Sequence, residues 1–286
     1  MGRERGYRLL LIFFGLTLVC LFTAGPHQMM NDLMGGWSMC CQGVKTVLTN
    51  FVALWLVFAA RTLVAAILVA SAFMVFRRLW RTYCLVARLH TAIAAGAQAD
   101  LPPRLSALCI QLGLAHPIAL LTHRAPLAFC FGLLKPSICL STGLLDTLSD
   151  KELKAVLLHE DYHCRLFDPL RTFLADLLAA LFFFLPVATE WRKLFFAATE
   201  LAADRYAMRL AGRFSLAGAL HKLLTHAAPL PFPAGVGGVS GFSTLDARLA
   251  QLLDNTAMTP RLSQRSLVSS SLILILVCIV LQISLL

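Results

Sequence analysis

Charge is what this chain is short of. Asp, Glu, Lys and Arg make up 14% of its 286 residues and apolar residues 58%, with a mean hydropathy of +0.75. A soluble domain carries about a quarter charged residues, so an ordinary soluble globule is excluded and the surplus apolar surface calls for a bilayer. Acids are scarcer still, 15 against 25 Lys and Arg, a net charge of +10. Nine cysteines contain no C-x-x-C pair, so their spacing offers no dithiol or metal motif. No internal repeat is present. The glycine-rich stretch 231–243, PFPAGVGGVSGFS, matches no phosphate-cradling pattern and reads as a flexible connection.

Long apolar runs are what the chain has instead. Leu9 to Ala24, Phe51 to Phe76 and Leu267 to Leu286 read as membrane spans. The first could be a cleaved signal sequence, since Arg3, Arg5 and Arg8 precede it. Pro26 directly after the small residues argues for an uncleaved anchor. Arg77, Arg78, Arg81 and Arg88 follow the second run, and Arg261 and Arg265 precede the last. All the basic clusters fall on one side if the N-terminus is cytoplasmic. The expectation is an integral protein of a bacterial inner or plasma membrane, with a membrane region over 1–76, a cytoplasm-facing domain over 77–260 and a final span over 267–286. This topology, with anionic lipid as neighbour, accounts for the positive charge without direct nucleic-acid binding. Cys40 and Cys41 fall in the external loop and read as ordinary loop residues.

The middle of the chain changes character. Residues 77–100 continue as a basic, alanine-rich helix, and a short helix is expected from Pro103 to Leu112. Leu127, Phe129 and Phe131 alternate with smaller residues, as do Ile138 and Leu140, predicting a two- or three-stranded sheet that Gly143 turns out of. Ser149 and Glu152 form a capping box. A helix is therefore expected from Asp150 to Phe167, stopped at Asp168 by Pro169. A second is expected from Trp191 to Ala211, closed by Gly212, and a short one over TLDARLAQLLD, residues 244–254.

The first of these helices carries His159-Glu160-x-x-His163. Residues four apart share a helix face, so the two imidazoles can bind one metal while Glu160 stands beside the open position as general base. A catalytic zinc has three protein ligands, and Glu200 on the second helix suits the third. Asp204, one turn on, could accept the N–H of a ligating histidine and fix its ring. Tyr206, His221, His226 and Arg248 each have the chemistry to stabilise an oxyanion; for each alone, an ordinary structural role is the commoner one.

The run from Ala128 through the histidine motif to FFFLP and ELAAD resembles the BlaR/MecR-type membrane zinc peptidases. These are gluzincins, related more distantly to the HtpX and Ste24 peptidases. The resemblance covers about residues 100–255. It implies a mainly α membrane protein: transmembrane helices plus a gluzincin-like α+β zinc peptidase domain with a small sheet. By that resemblance His159, His163 and Glu200 hold Zn2+, Glu160 is the base and Asp204 steadies a ligand. A protein or peptide substrate follows, with a transcriptional repressor as one candidate, lying extended along a sheet edge around Phe129 to Leu140. The best-known members carry an external sensing domain after the last span. Here that span reaches Leu286, so a signal is expected through the 25–50 loop, the membrane or a partner. A quality-control protease, or a sensor that keeps the fold without turnover, are the competing readings.

A fourth apolar run, Phe173 to Val187, separates the motif from Glu200. It is about fifteen residues, short of the roughly twenty that span a bilayer, and Pro186 interrupts it. It is expected to re-enter or lie along the membrane, or else to be a core helix, returning Glu200 to the side of His163. Arg61 in the second run and Asp176 in the fourth could pair, though an Arg61 that snorkels or faces a water cavity is the commoner arrangement.

Overall fold

The structure, a computed structural model, describes residues 42–96, 100–226, 245–254 and 261–285. The run Leu9 to Ala24, Cys40 and Cys41, and the glycine-rich stretch lie outside the described residues. The elements, in order, are α1 (Gln42–Gly96), α2 (Pro103–Leu112), β1 (Ile118–Leu121), β2 (Ala128–Phe131), β3 (Ser137–Ser141), α3 (Thr142–Thr147), α4 (Asp150–Arg165), α5 (Asp168–Leu181), α6 (Pro186–Ala211), α7 (Arg213–Thr225), α8 (Leu245–Asp254) and α9 (Gln264–Leu285). The chain is thus mostly helical with one small mixed sheet, and it divides into two compact units.

One unit comprises α1 through Met74, Phe182–Val187 and the described residues from Ser263 on. Among the described residues, two helical stretches are long and apolar enough to cross a membrane: Thr49–Leu89 within α1, with a mean hydropathy of 2.3, and Gln264–Ile283 within α9, with 2.5. Phe51, Leu54, Trp55 and Phe58 are all exposed, so α1 is not the core helix of a soluble globule. Inside this unit the buried Ser270 hydroxyl accepts from the Val187 N–H at 2.9 Å. This satisfies a donor in the first turn of α6 that has no partner within its own helix.

The other unit, Val75–Leu181 with Ala188–Leu262, carries the sheet. Strand order is β1-β3-β2; β1 runs parallel to β3, and β2 antiparallel to it. The third strand, β1, adds to the sequence reading. It makes β3 central, so Ile138 and Leu140 lie inside the sheet and not along its edge. Side-chain alternation decides what covers each face. Leu120, Ile138 and Leu140 pack with Leu105, Leu144, Leu153 and Leu157 of the neighbouring helices. Leu121, Phe129 and Cys139 point the other way, against Leu89 near the end of α1. A fully buried leucine or isoleucine contributes roughly 1.5–3 kcal/mol relative to exposure, so α4 is fixed to the sheet by apolar contact along its length.

Gly143 is not the turn expected of it; it sits in the first turn of α3. Its N–H donates to His123 O at 2.9 Å, and an added Cβ would come within 1.9 Å of Arg124 O. The glycine is there for close approach of two backbones. Ser141 caps α3 and joins it to the sheet: its hydroxyl accepts from Leu144 N and Leu127 N and donates to Ala125 O. At the start of α4, Glu152 reaches back to Ser149 N at 2.8 Å, as the capping box predicts, and also binds Lys222 of α7. α7 itself has no counterpart in the sequence reading, which passes from Gly212 to the glycine-rich stretch. Its Leu216, Ala219 and Leu220 are buried at apolar spacing against α4.

Two boundaries differ from expectation. α4 ends at Arg165, and Pro169 does not merely stop it but sits in the first turn of a new helix, α5, where proline's missing N–H is harmless. Between the two helices Phe167 takes a left-handed conformation, φ 53°. α6 begins at Pro186, five residues before the expected start, for the same reason. α5 and α6 form a helical hairpin in which Arg192 binds Asp176 at 2.6 Å. Asp176 therefore has a cation partner on the adjacent helix that the sequence reading did not name.

Candidate metal centre

α4 presents His159 and His163 one turn apart, with ring centroids 4.8 Å from each other and Nε2 atoms 3.1 Å apart. α6 brings Glu200 to the same point. One carboxylate oxygen lies 3.6 Å from His159 Nε2 and the other 3.6 Å from His163 Nε2. One ligand atom from each residue falls within a 4.8 Å group. The hairpin made this possible, because α6 runs back alongside α5 toward α4.

The outward nitrogens face carboxylates. His163 Nδ1 donates to Asp168 Oδ2 at 2.9 Å, and Asp168 in turn binds Arg171. His159 Nδ1 lies 3.0 Å from Asp204 Oδ1, close but not aligned as a hydrogen bond, so this buried nitrogen has no well-formed partner. Asp204 is fully buried and receives a two-pronged contact from Arg248 of α8: Nε to Oδ2 at 2.7 Å and Nη2 to Oδ1 at 2.8 Å. Arg248 Nη1 also lies 3.1 Å from Glu200. Gln251, one turn later, donates to Leu201 O at 3.1 Å. Glu160 is buried at 8% exposure. Its charge is felt on two sides: together with burial it pushes the Cys139 thiol of β3 up to about 12, and it supports the charge of Arg248.

These contacts test whether a metal suits the site. With each Nδ1 facing a carboxylate, hydrogen-bonded for His163 and at 3.0 Å for His159, each imidazole can direct its Nε2 lone pair inward. Two lone pairs and a carboxylate that meet at one point repel unless a positive charge joins them. Two nitrogens bound tetrahedrally at the usual zinc distance stand about 3.3 Å apart, close to the 3.1 Å seen here. Formal charge agrees: Glu160, Asp168, Glu200 and Asp204 are answered by Arg171 and Arg248, leaving two negative charges, matched by one divalent cation. Without a cation the protein must supply the charge with a proton. Burial opposes a charged His159, but the Asp204 and Glu200 carboxylates outweigh it and hold its value up to about 10. Burial likewise opposes the charge on Glu200, yet His159, His163 and Arg248 keep it well below the usual carboxylate range.

The structure therefore brings together His159, His163, Glu200 and Asp204. Of the four oxyanion candidates, Arg248 joins the cluster, with all three guanidinium nitrogens engaged by carboxylates. Tyr206 packs on Tyr162 at 5.3 Å, His226 binds Lys222 O at the end of α7, and His221 lies on α7. The sequence reading has Asp168 only as a helix stop and does not name Arg171. The signal was an aspartate five residues beyond His163, which the adjacent proline disguised as a helix stop.

A family model described as BlaR1 peptidase M56 matches residues 41–252, a range that takes in every residue of this cluster. No curated protein matches the chain.

Proposed function

This chain belongs to the BlaR1 peptidase M56 family, and on that premise we propose that it is a membrane-embedded, zinc-dependent endopeptidase of regulatory type. The family makes it a metallopeptidase with a protein substrate. The observation that carries the finer reading is the convergence of His159, His163 and Glu200 on one point while carboxylates face the outward nitrogens.

His159, His163 and Glu200 would hold the metal. Zinc, when bound, supplies a Lewis acid that acidifies water and polarises a carbonyl. Glu160, next to His159 and buried, takes the proton from the attacking water and hands it to the leaving amine. Water thus adds across the peptide bond, giving a carboxylic acid and an amine. Asp168 and Asp204 keep the histidine rings oriented through the cycle. β3 is paired on both sides, so an extended substrate would lie along a terminal strand of the sheet, β1 or β2. A repressor remains the candidate substrate for the regulatory reading.

The apolar stretches of α1 and α9 are proposed to cross the membrane, with the basic residues Arg77, Arg78, Arg81, Arg88, Arg261 and Arg265 on the cytoplasmic side. α5 has 14 residues, about 21 Å of helix, too short to cross a core of about 30 Å. It exposes Leu174, Leu178 and Leu181 while burying Ala175, Ala179 and Ala180. We read it as an in-plane or re-entrant element, so the hairpin stays on one side. Cysteine-accessibility mapping checks this: labels at positions flanking α4 and at the end of α6 must report the same side.

Metal analysis of the detergent-purified protein tests the function. Wild type and Glu160→Ala should carry about one zinc per chain, Glu200→Ala little, and both variants should lose cleavage. A wild type that takes up no zinc sinks the reading.

A further inference from the structure

Arg248 reaches the cluster from α8, 44 residues beyond Asp204 in the chain. Its three nitrogens are divided between two acids that stand one turn apart on α6: two on Asp204, one on Glu200. The side chain is itself 10% exposed, so little water competes for it. We propose that Arg248 is a positioning residue that bridges Glu200 and Asp204, fixing the third metal ligand and the orienting carboxylate of His159 as one rigid pair. The inference rests on the metallopeptidase reading.

The physical need is specific. Two carboxylates four residues apart share a helix face and repel each other. Left alone, Glu200 would gain by swinging toward water, taking its oxygen away from the histidines. A guanidinium is a planar fork with donors in fixed directions. It can hold Asp204 by two bonds and still present its third nitrogen to Glu200, whereas an ammonium can answer one carboxylate well and leaves the other. Gln251 anchors the same face of α8 to the Leu201 carbonyl without touching either acid. The helix thus separates two jobs: Gln251 attaches it, and Arg248 sets the ligand geometry.

The test uses the full chain in detergent micelles. Zinc affinity is measured by competition with a chromophoric chelator, and thermal unfolding of the chelator-stripped protein reports the fold. Arg248→Lys, Arg248→Met and Gln251→Ala are compared with wild type. Arg248→Lys should unfold near the wild-type temperature yet bind zinc about 10- to 100-fold more weakly, the usual effect of removing support behind a ligand. Gln251→Ala should lower the melting temperature and leave zinc affinity unchanged. If Arg248→Met fails to fold, the lysine variant still decides. Wild-type affinity in Arg248→Lys overturns the proposal, and so does an affinity loss in Gln251→Ala that tracks its loss of stability, because packing of α8 would then suffice. A wild type that folds but never binds zinc removes the metallopeptidase reading, and the bridge with it.

Discussion

The two histidines of the proposed metal centre are held in different ways. His163 is supported locally: Asp168 follows it by five residues and Arg171 by eight, all across the α4–α5 turn. His159 is supported from afar, by Asp204 on α6 and Arg248 on α8. The exposures differ too. Arg171 is 26% exposed at its side chain, whereas Asp204 is fully buried and Arg248 nearly so. The local support forms whenever one turn closes. The distant one forms only when three helices pack, so it reports on the integrity of the whole unit.

Breaking the distant support should have the largest effect. Asp204→Ala leaves the Arg248 guanidinium buried opposite only Glu200 and removes the nearest acceptor of His159 Nδ1. Removing one member of a buried pair costs about 3–5 kcal/mol, and metal affinity should fall by a further 10- to 100-fold or so. Thermal unfolding with chelator and zinc competition read the two parts separately. Asp204→Asn should recover part of the stability, because it still accepts from Arg248.

Asp168→Ala breaks the local support and should separate the two effects. His163 loses its acceptor, so zinc affinity falls by a comparable factor. The released Arg171 can reach water, so the loss of stability should stay near 1–2 kcal/mol, that of an ordinary unpaired partner. Equal stability losses in Asp168→Ala and Asp204→Ala would remove the contrast between the two supports.

That contrast also explains what could be read from the sequence. His159, Glu160 and His163 were legible because a helix face translates spacing directly into geometry, and Ser149 with Glu152 fixed where that helix starts. Glu200 and Asp204 were legible by the same four-residue rule. Arg248 was visible only as one of four polar candidates, since nothing in local spacing says which residue a distant helix delivers. Asp168 failed for the opposite reason: it was close, but a left-handed Phe167 reverses the chain before it, and no periodicity announces such a turn. A third strand was allowed for but not placed: β1 is four residues long and its parallel partner, β3, lies beyond β2 in the chain. Arg192 went unread as a partner of Asp176 because matching lone charges in apolar runs ignores a cation on the adjacent helix.

The centre's demand for positive charge sets a smaller, pH-dependent effect. With His159 held up to about 10, against about 6.5 unfolded, its proton stabilises the chelator-stripped protein fully below pH 6.5. That contribution is lost as pH rises toward 10. Glu200 and Asp204 are held low, so their contribution is present above about pH 4 and fades on acidification below it. The stripped protein should therefore lose melting temperature on the alkaline side, and saturating zinc should flatten that slope by taking the proton's place. A stripped protein equally stable from pH 6.5 to 10 would show that the cluster does not call for a cation at His159.

The smallest effect is expected at the turn that makes the local support possible. A left-handed backbone costs a non-glycine residue roughly 1–2 kcal/mol, and Phe167, 44% exposed, holds one at φ 53°. Phe167→Gly removes that strain but adds freedom to the unfolded chain worth roughly 0.5–1 kcal/mol. The net change should be a gain of about 0.5 kcal/mol, or a degree or two in Tm, with zinc affinity unchanged because Asp168 still reaches His163. If the variant instead lost zinc while keeping its fold, the turn's rigidity would itself be holding Asp168 against His163. The local support would then depend on backbone strain in the way the distant one depends on packing.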